Sequence, residues 1–242
     1  MPYAAINGLK MYFEVHGAGP ALLLLHGGTG SIPETWIPHF SPRFQVVATE
    51  FMGHGRTADS MDRPFHYHDL AEDMIELLRQ LEIDSAVVVG YSDGGIIGLD
   101  MAIHHPARVG RLVTTGANAR VDGYTAENNA WIRTFDPAAV PVSADYSRLS
   151  PDGPQHWPVL LGRLKPMWTA EPSFTDEELR RITLPTLIVI GDRDIITPEH
   201  ALEMYRTFPD AQLCVVPGAG HGAMPKEIVL KFLDEAPAGD PS

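Results

Sequence analysis

Cysteine is nearly absent from this sequence. Its 242 residues contain one, Cys214, which lies in the apolar run AQLCVVPG. A single cysteine excludes an intramolecular disulfide framework, so nothing in the sequence requires an oxidising compartment. In an apolar run this side chain is expected to pack as a small hydrophobic residue rather than to act as a catalytic thiol.

Basic residues and long apolar runs are also scarce. Lysine and arginine total 18 against 31 acidic residues, for a formal net charge of −13. The absence of a basic run argues against a nucleic-acid partner. An acidic field mildly favours neutral or cationic small molecules, although solubility alone also accounts for the charge. No run approaches the length of a membrane span and the N-terminal segment lacks a signal-peptide pattern, so we expect a cytoplasmic protein without a membrane partner.

Apolar runs of strand length alternate with amphipathic segments of helix length. The strand-like runs are 21–28, 44–50, 85–90, 109–116, 186–192 and 212–218, and the helix-like segments are 67–83, 94–106, 198–208 and about 225–235. Asn7-Gly8 predicts an N-terminal hairpin, and the tail 236–242 is expected to fray. Repeated strand–helix alternation predicts an α/β fold, with a mostly parallel sheet covered by helices on both faces.

One segment, residues 118–182, interrupts this alternation. It has no apolar strand-like run, is rich in proline, and contains Trp131, Trp157 and Trp168. Because it is too long for a plain loop, it predicts a mainly helical lid inserted into a core domain of residues 1–117 and 183–242. We expect at least one of the three tryptophans to line a substrate pocket. The alternative is that all three only pack the lid onto the core.

The stretch GYSDGG at 90–95 has the G-x-S-x-G spacing of a nucleophile elbow. It follows the apolar run SAVVVG and precedes an apolar-faced helical segment, which is the strand–turn–helix context that the motif requires. Small residues at 90 and 94 allow the strained turn that would expose the Ser92 hydroxyl. Ser92 is therefore the candidate nucleophile; the alternative is a glycine-rich turn with an idle serine.

A serine nucleophile needs a histidine base and an acid that orients it. The loop GDRDIITP follows a strand-like run and offers Asp192 and Asp194, and the glycine-flanked His221 follows the last such run. We favour Asp194 as the acid, because Asp192 lies directly at the strand end and is expected to cap the turn. The histidine pair His104-His105 is expected to be structural. No spacing in the sequence suggests a metal site, and this chemistry requires no cofactor.

The oxyanion of the intermediate needs two backbone donors. The residue after the nucleophile, Asp93, would supply one N–H, and the loop HGGTG at 26–30 would supply the other, with Gly28 the best candidate. The Asp93 side chain has two interpretations. It lies in the first turn of a helix, where a negative charge is favoured by about 0.3–1 kcal/mol. Alternatively, it binds a positive charge on the substrate.

The sequence resembles the α/β-hydrolase superfamily across essentially its whole length. The matching pieces, in order, are LLLHGG, FMGHGRT, GYSDGG, HHPARVGRLV, GDRDIITP and GAGHGAMP. Within the superfamily it is most similar to valacyclovir-hydrolase-like enzymes, which cleave α-amino acid esters and carry an acid directly after the nucleophile. That resemblance implies that Asp93 holds the substrate ammonium. The chain departs from the usual D-x-R-G-x-G-x-S turn at Glu50, Met52 and Thr57, where the resemblance implies a structural role.

These observations together predict a serine hydrolase that cleaves carboxylic esters of small molecules through an acyl-enzyme intermediate. The same triad would also serve a lactonase or a C–C bond hydrolase. A less favoured possibility is a non-catalytic sensor that keeps the fold to bind a ligand, because fold alone does not define a function.

Overall fold

Eight strands form the central sheet in the computed structural model, which describes residues 2–234. The strands are β1 (Tyr3–Ile6), β2 (Leu9–His16), β3 (Ala21–Leu25), β4 (Gln45–Thr49), β5 (Ala86–Tyr91), β6 (Val109–Thr115), β7 (Thr186–Gly191) and β8 (Ala211–Val216). Their order across the sheet is β1-β2-β4-β3-β5-β6-β7-β8. The β1–β2 and β2–β4 pairs are antiparallel and the other five pairs are parallel. The mostly parallel sheet and the N-terminal hairpin are thus confirmed; the tail 236–242 lies outside the described residues.

Helices cover both faces of the sheet. They are α1 (Ile37–Phe40), α2 (Tyr67–Gln80), α3 (Asp93–His104), α4 (Ala126–Thr134), α5 (Ala144–Leu149), α6 (Trp157–Ala170), α7 (Asp176–Leu179), α8 (Pro198–Thr207) and α9 (Lys226–Asp234). Buried residues of α2, α3 and α8 share one hydrophobic cluster, and those of α1 and α9 share a second. The strands predicted from sequence are present, and the structure adds the short helix α1.

Strand β3 shows why these segments read as continuous apolar runs. Successive side chains of a strand point to opposite faces of the sheet. Leu23 and Leu25 accordingly join the cluster on the α2/α3 side, whereas Leu22 and Leu24 join the cluster on the α1/α9 side. A parallel strand covered on both faces needs apolar residues at every position. The predicted run 21–28 extends three residues beyond the end of β3, because the His26-Gly27-Gly28 segment already belongs to the following loop.

The segment 118–182 contains α4 to α7 together with several 3-10 turns, and all of its residues are described. Buried side chains of α4 and α6 belong to the same hydrophobic cluster as α2 and α3, so this segment is packed firmly onto the core. Its division from the core as a separate lid domain stays a prediction.

The turn after β4 is held by two of the residues that depart from the family pattern. Glu50 is fully buried and accepts hydrogen bonds from the Arg56 backbone N–H at 2.5 Å and from Arg56 Nη1 at 2.7 Å. Thr57 Oγ1 donates to the Glu50 carbonyl at 2.8 Å and accepts from the Tyr12 N–H at 2.9 Å. These bonds join the turn to β2, which supports a structural role. Within residues 2–234, no helix has the length and apolarity needed to cross a membrane.

Candidate active site

Ser92 lies in a strained turn between β5 and α3. Its backbone has φ 51° and ψ −119°, a region that non-glycine residues rarely occupy. The turn is tight enough that a Cβ on Gly90 would lie 2.2 Å from the Gly94 carbonyl oxygen, and one on Gly94 would lie 2.5 Å from the His26 carbonyl oxygen. Both contacts are with backbone, which has no room to yield. The two glycines therefore permit the elbow that exposes the Ser92 hydroxyl.

The structure brings Ser92, His221 and Asp194 together in a hydrogen-bonded series. His221 Nδ1 is 2.7 Å from Asp194 Oδ1, and His221 Nε2 is 3.0 Å from Ser92 Oγ. An ionised carboxylate can only accept, so Nδ1 carries the proton and Nε2 is left to accept from the serine hydroxyl. This tautomer is the one that a general base requires.

Asp194 is suited to orient the histidine. It is buried, and its Oδ1 also accepts from the Ile196 backbone N–H at 3.2 Å. Among the described residues its Oδ2 has no hydrogen-bond partner, so negative charge remains available to stabilise a protonated imidazole. Asp192 instead accepts from the Gly218 N–H at 2.7 Å. The two aspartates thus have the separate positions expected from the sequence.

The candidate oxyanion donors lie on either side of the serine. Asp93 is the first residue of α3, and an N–H in the first turn of a helix has no partner within that helix. Gly28 lines the same pocket as Ser92 and Asp93. A Cβ at position 28 would lie 2.5 Å from Asp93 Oδ2 and 2.9 Å from a Trp168 ring carbon. Glycine is therefore required for the close approach of this loop.

His26 positions the loop that carries Gly28. Its Nε2 accepts from the Phe51 N–H at 3.2 Å, so the proton is on Nδ1, which donates to the Gly27 carbonyl at 2.7 Å. Complete burial is the main reason that the pKa of His26 falls to about 3. His26 is therefore a neutral, structural histidine near neutral pH.

The Asp93 side chain is buried, and both of its oxygens are occupied. Tyr67 Oη donates to Oδ1 at 2.9 Å, and Trp168 Nε1 donates to Oδ2 at 3.0 Å. Burial raises the pKa of Asp93, and the hydrogen bonds from Trp168 and Tyr67 oppose that rise. Both donors are neutral. The Trp168 indole N–H carries no charge, and burial and the Asp93 charge raise the pKa of Tyr67 well above its usual value. The carboxylate is therefore hydrogen-bonded without being neutralised by these two contacts.

A cavity of about 310 Å³ lies above the triad. All three predicted tryptophans line it, with Ser92, Asp93, Gly28 and His221. Trp157 and Trp168 are largely buried, whereas Trp131 is 49% exposed and stacks on Phe135 with ring centroids 4.7 Å apart. Whether these rings bind substrate stays a prediction.

The cavity also contains residues that the sequence analysis missed. Asn128 lines it, and among the described residues its buried Nδ2 has no hydrogen-bond partner. Asn128, Trp131 and Ile132 are spaced i, i+3, i+4 on α4 and share one face of that helix, a signal that known helix bounds would have revealed. Tyr91 also lines the cavity, with its ring centroid 5.0 Å from that of His221.

Comparison with known families agrees with this arrangement. Residues 22–229 match the alpha/beta hydrolase family. The chain belongs to that family. The resemblance predicted from sequence and the fold class are both confirmed, and the chain is a hydrolase of this family.

Two curated relatives are similar over nearly the whole chain. A putative carbamate hydrolase, RutD, of Caulobacter sp. (strain K31) is 28% identical over 252 residues and covers 92% of each chain. Serine hydrolase BPHL of mouse is 29% identical over 246 residues, covering 96% of this chain and 81% of its own. Among solved structures, the enol-lactonase of Burkholderia xenovorans LB400 has a TM-score of 0.73 at 22% identity, covering 97% of this chain and all of its own. At that identity the similarity shows the fold alone.

Proposed function

We propose that this alpha/beta hydrolase cleaves carboxylic esters of small molecules through an acyl-enzyme intermediate on Ser92. The observation that carries this proposal is the series Ser92 Oγ–His221–Asp194, with spacings of 3.0 and 2.7 Å, at the base of the cavity. Serine, base and acid in this geometry are the arrangement of nucleophilic acyl transfer.

The reaction proceeds in two halves. Ser92 Oγ attacks the carbonyl carbon while His221 Nε2 takes its proton, and Asp194 stabilises the resulting imidazolium. The oxyanion is held by the N–H groups of Gly28 and Asp93; losing one such donor costs about 3–4 kcal/mol in the barrier. Collapse breaks the ester C–O bond, and His221 returns the proton to the departing alcohol. Water, deprotonated by His221, then releases the acid and restores Ser92.

The first test is hydrolysis of a short-chain p-nitrophenyl ester. Ser92→Ala should lower kcat on the order of 10⁶-fold because it removes the nucleophile, and Asp194→Asn by about 10⁴-fold because it leaves His221 in the wrong tautomer. Asp192→Asn is the matched control, since Asp192 contacts the turn and not His221, and should stay near wild type. Near-wild-type turnover by Ser92→Ala would refute the proposal. A wild type that binds a ligand but turns over no ester would indicate a sensor.

We further propose a preference for α-amino acid esters, with Asp93 binding the substrate ammonium. Asp93 lines the cavity together with Ser92, and the two hydrogen bonds to its carboxylate come from neutral donors. A carboxylate near a developing oxyanion raises the barrier unless a positive charge compensates it. A carboxylate offers about four lone-pair positions, so two remain for an ammonium. The same two bonds also support the alternative, in which Asp93 only joins α2 and α6 to the elbow.

The second test compares an aminoacyl ester with its des-amino analogue. If Asp93 binds the ammonium, Asp93→Asn should lower kcat/KM for the amino ester by about 10- to 150-fold more than for the analogue, as expected for a charge-assisted hydrogen bond of about 1.5–3 kcal/mol. Tyr67→Phe is the control, because it removes the donor to Oδ1 but keeps the charge; its ratio of the two substrates should be unchanged. Equal losses on both substrates in Asp93→Asn would support the structural role alone.

A carbamate is the second candidate substrate class, favoured by the relatives named as putative carbamate hydrolases. A carbamate presents the same carbonyl to Ser92. Lactones and C–C bonds next to a carbonyl stay open for the same reason. A panel of esters, aminoacyl esters, carbamates and lactones on the purified enzyme would rank these classes by kcat/KM.

A further inference from the structure

A second group of metal-ligating side chains lies on α2 and α3, outside the lining of the catalytic cavity. His68 on α2 and Asp100 and His104 on α3 converge, with one donor atom from each within 4.8 Å of the others. His68 Nδ1 is 2.9 Å from Asp100 Oδ1, and His104 Nε2 is 3.8 Å from Asp100 Oδ2. The two imidazole rings meet edge to face with centroids 4.7 Å apart.

We propose that His68, Asp100 and His104 bind a divalent transition-metal ion, with Zn²⁺ the best fit. Two imidazole nitrogens and one carboxylate oxygen form a ligand set that suits Zn²⁺ and disfavours Mg²⁺ or Ca²⁺, which prefer oxygen alone. At Zn–ligand distances of about 2.0–2.1 Å, tetrahedral donors lie about 3.4 Å apart. The His68 and His104 nitrogens lie 2.9 Å and 3.8 Å from the two different oxygens of Asp100, so small side-chain rotations are enough to bring one oxygen and both nitrogens to this spacing. Water would complete the fourth position.

One fixed carboxylate and two half-exposed imidazoles suit metal capture. Asp100 is 4% exposed and fixed between the helices, whereas the His68 and His104 side chains are 52% and 41% exposed. Rotation of the half-exposed imidazoles can shift their ring nitrogens by the fraction of an ångström needed to equalise their distances from Asp100. Asp100 and His104 are four residues apart on one helix and therefore share a face. The site thus requires no backbone movement.

The charge of the region also favours a cation. The ion-pair partners of Asp100 in the described chain are the two imidazoles, which carry charge only when protonated. A neighbouring cavity of about 390 Å³ is lined by His68, Asp100 and His104 and by the acidic Glu171 and Glu178. A dication would offset this concentration of negative charge.

Glu72 is placed to orient His68 through Nε2, the ring nitrogen that does not contact Asp100. It lies one helical turn after His68 on α2, with its Oε1 3.9 Å from His68 Nε2, and is itself held by His105 Nε2 at 2.5 Å. When Nδ1 binds the metal, Nε2 carries the proton and faces this carboxylate, which is the usual outer partner of a metal-bound histidine.

A metal at this position would join α2 to α3 near the active site. The residue before His68 is Tyr67, which donates to Asp93, and Asp93 begins α3. Binding to the folded state alone would raise stability by RT ln(1 + [Zn²⁺]/Kd), so the melting temperature should rise with metal concentration. The proposal is independent of ester hydrolysis, since none of its residues belongs to the triad.

The test is calorimetric titration of EDTA-stripped, full-length protein with Zn²⁺, accompanied by thermal melts. Wild type should bind one equivalent and melt at higher temperature with Zn²⁺. His68→Ala and His104→Ala should each weaken binding by about tenfold or more, and the double variant should lose it. His16→Ala is the matched control, because His16 is 40% exposed and pairs with one carboxylate, Glu14; it should bind as wild type does. His221→Ala should also bind normally, which excludes capture by the triad.

Two results would overturn the proposal: no saturable Zn²⁺ binding by wild type, or one-to-one binding that survives in the double variant. Circular dichroism in EDTA establishes that the variants are folded. If an alanine variant is unfolded, the bulkier His104→Gln provides the same comparison. Cu²⁺ as a second probe should give an electron paramagnetic resonance spectrum with nitrogen couplings from two imidazoles, reduced to one in either single variant.

Discussion

Two neighbouring residues place opposite electrostatic demands on one turn. In the proposed reaction Ser92 needs positive potential around the oxyanion that forms on its substrate, whereas Asp93 places a buried carboxylate beside it. Tyr67 and Trp168 direct one O–H and one N–H at that carboxylate, which offsets part of its burial cost. The proposed preference for a substrate that carries its own cation rests on the negative charge that these two neutral donors leave uncompensated.

Gly116 provides a stringent test of how closely the triad is packed. It has φ +62°, and an added Cβ would lie 2.8 Å from His221 Nδ1 and 3.3 Å from Asp194 Oδ2. Gly116→Ala should therefore displace His221 and lower kcat by about 10²-fold, the cost of a misplacement near 1 Å. It should also lose about 1–2 kcal/mol of stability from left-handed strain. Steady-state kinetics and urea unfolding measure the two effects.

Gly218→Ala separates backbone strain from steric displacement. Gly218 has φ +72°, and nothing lies within 4 Å of its added Cβ. Gly218→Ala should therefore lose as much stability as Gly116→Ala, with unchanged kcat. If both variants lose activity equally, strain in the loops rather than contact with His221 would explain the effect, and the predicted packing role of Gly116 would be wrong.

Among the elements, α6 connects the segment 118–182 to the rest of the chain at two places. Trp168 near its C-terminal end donates to Asp93 at the elbow. Towards its N-terminal end, Asp59 is bound by Arg163 of α6 and by His156, the residue directly before α6. Burial opposes ionisation of Asp59, but these two partners outweigh it and lower its pKa. The helix is therefore held at both ends over the cavity, and α4 is the more exposed part of the cover.

Trp131 on α4 and Trp157 on α6 should respond differently to truncation. Trp131 on α4 is half-exposed at the cavity, so Trp131→Ala should leave stability nearly unchanged while raising kcat/KM for bulky esters relative to small ones. Trp157 on α6 is buried and donates to the Val140 carbonyl at 3.2 Å, so Trp157→Ala should cost about 3–5 kcal/mol. Thermal melts and an ester series measure both. A stability loss in Trp131→Ala without altered preference would show that this ring only packs the lid.

The whole molecule should lose stability from its buried histidines as pH falls. Burial lowers the pKa of His26 to about 3, and it lowers the pKa of His54 and His200 as well. In the unfolded chain a histidine has a pKa of about 6.5, so below that pH the unfolded state binds more protons and is favoured. For His26 alone the loss is about 2 kcal/mol by pH 5, and it continues until about pH 3.

Buried carboxylates with raised pKa, such as Asp93 and Asp73, act in the opposite direction. The prediction therefore concerns the difference in stability loss between wild type and a variant that lacks His26. Urea unfolding of wild type and His26→Gln should be compared at pH 7.5 and pH 5. Wild type should lose about 2 kcal/mol more than the variant over this interval. His16→Gln serves as the exposed control and should follow wild type. Parallel curves for wild type and His26→Gln would contradict a neutral, buried His26.

Local pattern was sufficient for the architecture and for bringing forward the candidate catalytic group. Runs that are apolar at every position require a covered parallel sheet, and β3 with its alternating leucines shows the two-sided burial. The elbow has no room for a side chain at Gly90 or Gly94, so the motif can be recognised from five consecutive residues. Asp194 and His221 follow strand ends, and parallel strands bring their carboxyl ends to one edge of the sheet.

Contacts between distant segments depended on the assembled fold. Asp93 finds Tyr67 at a separation of 26 residues and Trp168 at 75, and no periodicity in the chain encodes either pairing. The expectation that His104 is merely structural, with no metal spacing, considered each helix alone; the proposed trio exists because α2 and α3 pack together and place His68 against Asp100 and His104. Sequence spacing specifies which side chains share one helix face or follow one strand. Which faces meet is decided by the packing of all elements at once, since each apolar stripe must be buried against another.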